Sequence, residues 1–510
     1  MSTSRRVIKN TIFLYIRTIV SLLFSVFTTR ILLEALGETD YGLYNVVGGA
    51  ISMLGFLSAS MSSATQRFLN IAEGAGKKDI IIKYFNNSLI IHWILSVIMI
   101  VVFAISALFF FNGILNIPDG KFTDAIAIYT CMLISTVFSI TTVPYEAEIN
   151  AHENMLFFSL LGIVDVFVKF GIAVAVLYFH SDKLIFYAIL MAIESFGLRT
   201  ASKAYCTRKY EECKDINFRK FFDRTIIKEM TSFAGWNLTN IATSAISLYG
   251  MNVVVNHYFG TDINAAMGIA TQLTGVMMGL SLNMVKAVSP IIMKSEGGNQ
   301  HQQMLRYTME SCKFSYLIFS FCCIPVLIFI SPILNLWLTI VPNWTADFCV
   351  VLIFSILTEQ LTVVLYQSIM ASGDIKSYNI IRSITNILPI FVSIVMFQYG
   401  DYKPYWVIIN RALSVSIAGG IVNLWFAKVK LGFNVSYFFK DVAAKCIAAS
   451  CICALTAYAL THLVSCSWII SFILCSIISL PIYWVVSLNK SEHKSIILLV
   501  QNTKSRLFFI

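Results

Sequence analysis

Apolar runs of about twenty residues or more recur along the whole chain, the first at 11–36 and the last at 468–488, and each can cross a hydrocarbon layer roughly 30 Å thick as a helix. Lipid offers no partner for a bare amide or carbonyl, so each crossing segment must satisfy its backbone internally. The runs are continuous rather than alternating, which excludes a β-barrel. We place spans at 11–36, 41–66, 84–111, 123–146, 156–179, 184–205, 229–256, 264–290, 311–335, 345–370, 380–399, 405–427, 446–464 and 468–488, an all-α polytopic membrane protein of about fourteen helices. The composition agrees: 57% of 510 residues are hydrophobic and 13% charged, about half the charged share of an ordinary soluble domain. The run at 11–36 is too long for a signal-peptide core and no small-residue cleavage site follows it, so it reads as a retained helix.

A net charge of +10 raises the question of nucleic acid, and the distribution of that charge answers it. With the N-terminus inside, the cytoplasmic segments collect Lys77, Lys78 and Lys83, the cluster from Arg208 to Lys228, then Lys428, Lys430, Lys440 and Lys445, and finally Lys490, Lys494, Lys504 and Arg506; the outside loops hold Lys121, Lys183 and Lys403. This is the positive-inside bias carried through an even number of crossings, which predicts both termini on the cytoplasmic side and no nucleic-acid partner. The cysteines, among them Cys131, Cys322, Cys323, Cys451 and Cys453, are scattered through apolar runs without metal-ligand spacing and read as packing residues.

The longest polar interruption falls at 206–228 and divides two units of six spans. Gly37 and Glu73-Gly74 in the first unit recur at one common offset as Gly260 and Glu296-Gly297 in the second; the same offset sets Lys83-Tyr84 on Arg306-Tyr307 and Ser88 on Ser311. Duplication of six helices produces such a register, and an even number keeps both copies in one orientation. The expected organisation is a six-helix lobe at 1–205, a basic cytoplasmic linker at 206–228, a second lobe at 229–427, and an added helix pair with a basic tail at 428–510.

No Gly-x-x-x-x-Gly-Lys-Ser/Thr loop, His-Glu-x-x-His or Gly-x-Ser-x-Gly motif is present, and no loop is long enough for a catalytic domain, so the chain does not read as an enzyme. The informative feature is charge at membrane depth, where one charge costs roughly 2.5–3.5 kcal/mol on insertion scales and belongs in a bundle interior or an aqueous cavity. Cations outnumber anions there. Arg30, Lys169, Arg199, Lys286 and Arg411 are the candidates for an anion-accepting cavity; Asp165, Glu194 and Glu359 are the candidates for coupling to H⁺ or Na⁺. Structural alternatives stand beside these roles. Asp165 and Lys169, four residues apart, can neutralise each other, as can Arg30 and Glu34. Arg17 and Lys286 lie near helix ends from which they can reach headgroups. Arg199 and Arg411 have no evident local partner and best fit cavity positions.

The stretch from Thr29 to Asn45, with Arg30, Leu36-Gly37 and Asp40-Tyr41-Gly42-Leu43-Tyr44, resembles the first outer turn of bacterial polysaccharide-biosynthesis flippases, whose superfamily also contains multidrug and toxic-compound extrusion (MATE) pumps. The segment Asn264-Ala-Ala-Met-Gly268-Ile-Ala-Thr-Gln272 resembles the latter. The resemblance implies two lobes, a basic linker and an extra helix pair. It implies a substrate made of polyprenyl pyrophosphate bearing an O-antigen, capsule or exopolysaccharide repeat unit, moved between leaflets of the inner membrane by alternating access. It further implies pathway partners in a glycan polymerase and glycosyltransferases, and no cofactor beyond coupling to an H⁺ or Na⁺ gradient; two lobes in one chain suffice for transport, so a monomer is the expectation. Arg30 alone among the candidates belongs to the resembling motif. A cation-coupled drug exporter of the same superfamily is the alternative; the sparseness of acids in spans one and seven counts against it.

Overall fold

The structure, a computed structural model, describes residues 3–52, 55–111, 117, 120–338, 340–463, 467–490, 492–493 and 497. The described elements are all helical. They divide into two compact units: a first of Asn10–Leu238 with Gly297–Asn299, and a second of Met1–Lys9, Thr239–Glu296 and Gln300–Ile510.

In the first unit, α1 (Thr3–Ser52) is followed by α2 (Gly55–Gly74), α3 (Lys78–Phe109), α4 (Phe122–Ala151), α5 (Met155–Tyr178) and α6 (Lys183–Lys209), then a 3₁₀ turn at Glu211–Cys213 and the short α7 (Phe218–Phe221). The boundary between units falls within α8 (Arg224–Gly297), whose 74 residues would extend about 110 Å if straight, several bilayer cores. A bend at Gly260 resolves that length. Gly260 adopts φ 83° and ψ −177°; Gly37 breaks α1 with φ 76° and ψ 169°. Only a residue without Cβ enters this region freely. These are the two glycines related by the repeat offset, and the next pair, Gly74 and Gly297, ends α2 and α8. Ser88 and Ser311, a third offset pair, are both buried.

Among the described residues, 11 helices are long and apolar enough to cross a membrane, or 12 with the bent pair α11 (Thr345–Gln360) and α12 (Leu365–Ser372) taken as one span. The fourteen expected spans exceed this because α8 counts once although it holds two arms, and because the span at 41–66 is split between the end of α1, residues outside the description, and α2. In the second unit the chain continues through α9 (His301–Ile328), α10 (Ile330–Trp337), α11, α12, α13 (Lys376–Tyr399), α14 (Trp406–Arg411), a π-helical stretch at Ala412–Ala418, α15 (Gly419–Leu431), α16 (Val435–Phe438), α17 (Ala444–Leu463) and α18 (Trp468–Ile482).

The packing of α13 explains how such a bundle tolerates polar residues. Its buried face carries Asn379, Arg382, Thr385, Asn386 and Ser393, whereas Ile380, Ile384, Leu388, Phe391 and Val395 are exposed. The amphipathicity is inverted relative to a soluble helix, apolar toward lipid and polar toward protein. The last helix pair packs on α9: Phe329, Ala457 and Cys475 form one apolar cluster, and the buried Lys313 on α9 pairs with Glu492 at 2.7 Å. The polar segment at 206–228 is held against α3 by two buried asparagines. Asn86 accepts from the Asn217 amide and donates to the Asp215 carbonyl, both at 3.0 Å; Asn87 accepts from the Asp223 amide at 3.0 Å and donates to the Phe221 carbonyl at 2.8 Å. Each side chain thus satisfies one donor and one acceptor of a segment that would otherwise leave them unpaired.

Candidate functional site

Among the described residues, a cluster of charges at membrane depth forms in each unit. In the first unit the group grows from a helical stripe on α5. Phe158, Gly162, Asp165 and Lys169 follow a four-three-four spacing and share a face. Lys169 Nζ lies 2.7 Å from Asp165 Oδ1, so the neutralisation that the spacing allows is realised. Arg17 from α1 lies over the Phe158 ring, 4.6 Å from its centroid, and senses the Asp165 charge. Its guanidinium occupies space that any Cβ on residue 162 would enter, which makes Gly162 a requirement of that seat. Glu194 from α6 faces Asp165 and Lys169. Two cations therefore meet two carboxyls. Lys169 and Glu194 also line a cavity of about 570 Å³ with Tyr44, Gly48, Met132 and Thr136.

Arg199 forms an ion pair with Glu146 of α4, so it has a counter-charge where the sequence suggested none. Spacing within one helix could not reveal a partner on another. Arg30 is exposed on α1, as is Glu34, and among the described residues no ion pair joins them. Lys286 is half-buried on the second arm of α8.

The second unit assembles its group where two helical irregularities meet. The pair α11 and α12 bends by 46°. Opposite it, α14 passes through the π-helical Ala412–Ala418 before α15, a distortion that frees backbone carbonyls and is frequent at working sites. Arg382 reaches this stretch from α13, donating from Nη1 to the Val415 carbonyl at 2.7 Å; its Nη2 lies 3.8 Å from Glu359 Oε1. The guanidinium rests directly on Gly419, where a Cβ would collide with it. Arg411 interacts electrostatically with both Glu359 and Arg382, and its buried Nε has no hydrogen-bond partner among the described residues. Two guanidiniums thus share one carboxylate.

Neutral polar groups complete this interior. Gln360 Oε1 accepts from Ser281 and, at 2.9 Å, from Ser315. Asn386 donates to Asn240 Oδ1 at 3.0 Å and Ser244 Oγ at 2.9 Å, and Tyr378 donates to Asn423 at 2.8 Å.

Arg382 and Arg17 are the members that sequence reasoning left out of the candidate set. A signal for Arg382 existed in the inverted pattern of α13. A signal for Arg17 existed in Gly162 and the polar stripe on α5, read together rather than helix by helix.

No family model matches the sequence. The chain is 20% identical over 328 residues to the "Uncharacterized membrane protein EpsK" of Bacillus subtilis (strain 168), a match spanning 63% of each chain and so less than two thirds of that relative. Solved structures share the fold much more completely. A crystal structure of a MATE mutant gives a TM-score of 0.72 at 14% identity, covering 85% of this chain and 99% of that one. The outward-facing conformation of a multidrug resistance MATE family transporter of the MOP superfamily gives 0.70 at 15%, covering 85% and 98%. A MOP superfamily transporter from Pyrococcus furiosus Vc1 (DSM3638), described as having a binding pocket of reverse polarity, gives 0.70 at 15% with the same coverage. The chain is a multi-pass membrane protein with a MATE-like transporter fold in two lobes, and the neighbours that define the fold are transporters rather than enzymes.

Proposed function

We propose that the chain is a flippase that carries a polyprenyl-pyrophosphate-linked oligosaccharide from the inner to the outer leaflet of a bacterial cell membrane, supplying O-antigen, capsule or exopolysaccharide assembly. The observation that carries this reading is the surplus cation of the second unit: among the described residues, Arg382 and Arg411 face Glu359 as their one carboxylate, and Arg411 Nε has no hydrogen-bond partner. An anion with several oxygens supplies the missing acceptor, and planar guanidiniums bind phosphate oxygens bidentately. Serines, asparagines and glutamine around the same interior offer hydrogen bonds suited to sugar hydroxyls. The Asp165, Lys169, Arg17 and Glu194 group has no surplus charge and fits ion coupling better than substrate binding. The Pyrococcus neighbour is described as having a pocket of reversed polarity, so pocket charge varies within this fold.

A second reading, a cation-coupled exporter of cationic drugs, draws on the Glu194-lined cavity of the first unit with its Tyr44 and Met132 walls. Growth of a deletion strain separates the two. Cytoplasmic accumulation of complete lipid-linked repeat units with loss of surface glycan supports the flippase, whereas intact glycan with heightened sensitivity to cationic drugs supports the exporter.

A further inference from the structure

At the junction of α2, the turn between α4 and α5, and the 3₁₀ segment after α6, a histidine sits among three carboxylates that the transport reading does not use. His152 Nε2 is 2.5 Å from Glu212 Oε1 and 3.7 Å from Glu148 Oε2. Its Nδ1 is 3.4 Å from Glu73 Oε1. The ring stacks on Tyr210, with centroids 4.0 Å apart and planes 8° from parallel. One ligand atom from each of Glu148, His152 and Glu212 can be chosen so that all lie within 4.8 Å of one another.

A proton on Nε2 does not satisfy this arrangement. It can bridge to Glu212, but Glu148 is 1% exposed and its Oε1 has no hydrogen-bond partner among the described residues. A buried carboxylate oxygen left without a partner costs free energy, and a proton already committed to Glu212 does not reach it. A cation bound to all three groups does. We propose that Glu148, His152 and Glu212 form a site for one divalent transition-metal ion, with Glu73 accepting from His152 Nδ1–H to fix the imidazole.

The chemistry of the donors selects the ion. One imidazole nitrogen with two carboxylates favours Zn²⁺, Co²⁺ or Mn²⁺ over Mg²⁺ and Ca²⁺, which prefer all-oxygen shells. The Glu73–His152 contact is the carboxylate–histidine–metal relation by which proteins set the tautomer of a ligating imidazole. His152 and Glu73 remain 29% and 24% exposed, leaving a route by which an ion enters. Bound there, the ion braces the end of α4 and the 3₁₀ turn after α6, with α2 joined through Glu73.

The test uses the full chain in detergent, stripped with chelator and titrated with CoCl₂ or ZnCl₂ alone. The expected result is one ion per chain, Co²⁺ d–d absorption, and a raised melting midpoint. His152→Ala should abolish the absorption, Glu148→Gln should weaken binding at least tenfold, and Glu73→Gln should weaken it 10–100-fold; Glu310→Gln, on the exposed Arg306 pair, should bind as wild type. Should a variant misfold, the wild type alone decides through diethyl pyrocarbonate labelling, in which Zn²⁺ shields His152 and leaves the exposed His180 reactive. Absence of stoichiometric uptake by wild type, unchanged binding in His152→Ala, or labelling of His152 unaffected by Zn²⁺ would overturn the site.

Discussion

Gly419→Ala tests the arginine seat of the second unit with a single methyl. Position 419 is helical, with φ −62° and ψ −37°, so the backbone accepts alanine, and intrinsic propensity favours it by about 1 kcal/mol. Its new Cβ, however, would overlap the Arg382 guanidinium and force it off the Val415 carbonyl. Loss of a hydrogen bond to a charged donor costs about 1.5–3 kcal/mol. The net expectation is a destabilisation of about 0.5–2 kcal/mol, against the gain that propensity alone assigns. The larger effect falls on transport, because the displaced guanidinium no longer faces Glu359. Gly420→Ala is the control: its Cβ would meet Thr362 Oγ1 at 3.3 Å, which a small hydroxyl adjustment relieves. Melting midpoints by size-exclusion chromatography and restoration of surface glycan in a deletion strain give both readouts. A Gly419→Ala protein that is as stable as wild type and fully active would refute the seating of Arg382.

Arg411→Ala should lose export while keeping abundance and insertion, because its Nε holds no hydrogen bond among the described residues; equal export would remove it from the substrate site. Arg199→Ala should leave Glu146 without its counter-charge and lower the melting midpoint as well as export, and Glu146→Gln should reproduce the midpoint change if the pair is structural. Asp165→Asn or Glu194→Gln should uncouple transport from an imposed ion gradient in proteoliposomes; gradient-driven transport that survives both changes would discard the coupling role. Stability should also depend on His152. Burial alone would lower its pKa, but hydrogen bonds to Glu212 and Glu73 override that and raise it from 6.5 to about 10. In the metal-free chain the stabilisation is therefore full below pH 6.5 and lost as pH rises through about 10, and His152→Gln should flatten that part of a melting-midpoint profile.

Much of the fold could be read from the chain because lipid imposes it. Run length defines the spans, and the break residues Gly37 and Gly260 stand where the repeat register sets them, both in a conformation reserved for glycine. The Asp165–Lys169 pair was legible for the same reason, since helix geometry fixes residues four apart. Contacts between helices carry no such rule. Arg199 finds Glu146 across α4 and α6, and Arg382 finds Glu359 and Val415 across α13, α11 and the π-helical stretch, through packing that no local spacing encodes. Placing the expected span at 380–399 also set Arg382 near a helix end, where a charge is unremarkable; α13 begins at Lys376 and carries Arg382 inward on its buried face.

The central claim is transport of a lipid-linked anionic glycan between leaflets, and it is tested most directly in proteoliposomes. A fluorescent polyprenyl-pyrophosphate oligosaccharide is placed in both leaflets, and the fraction reached by a membrane-impermeant quencher or glycan-modifying enzyme is followed with time. Wild type should bring the sheltered pool into reach, and Arg411→Ala should leave it sheltered. Equal exposure in protein-free liposomes, or full activity in the variant together with uptake of a cationic dye by wild type, would contradict the flippase account.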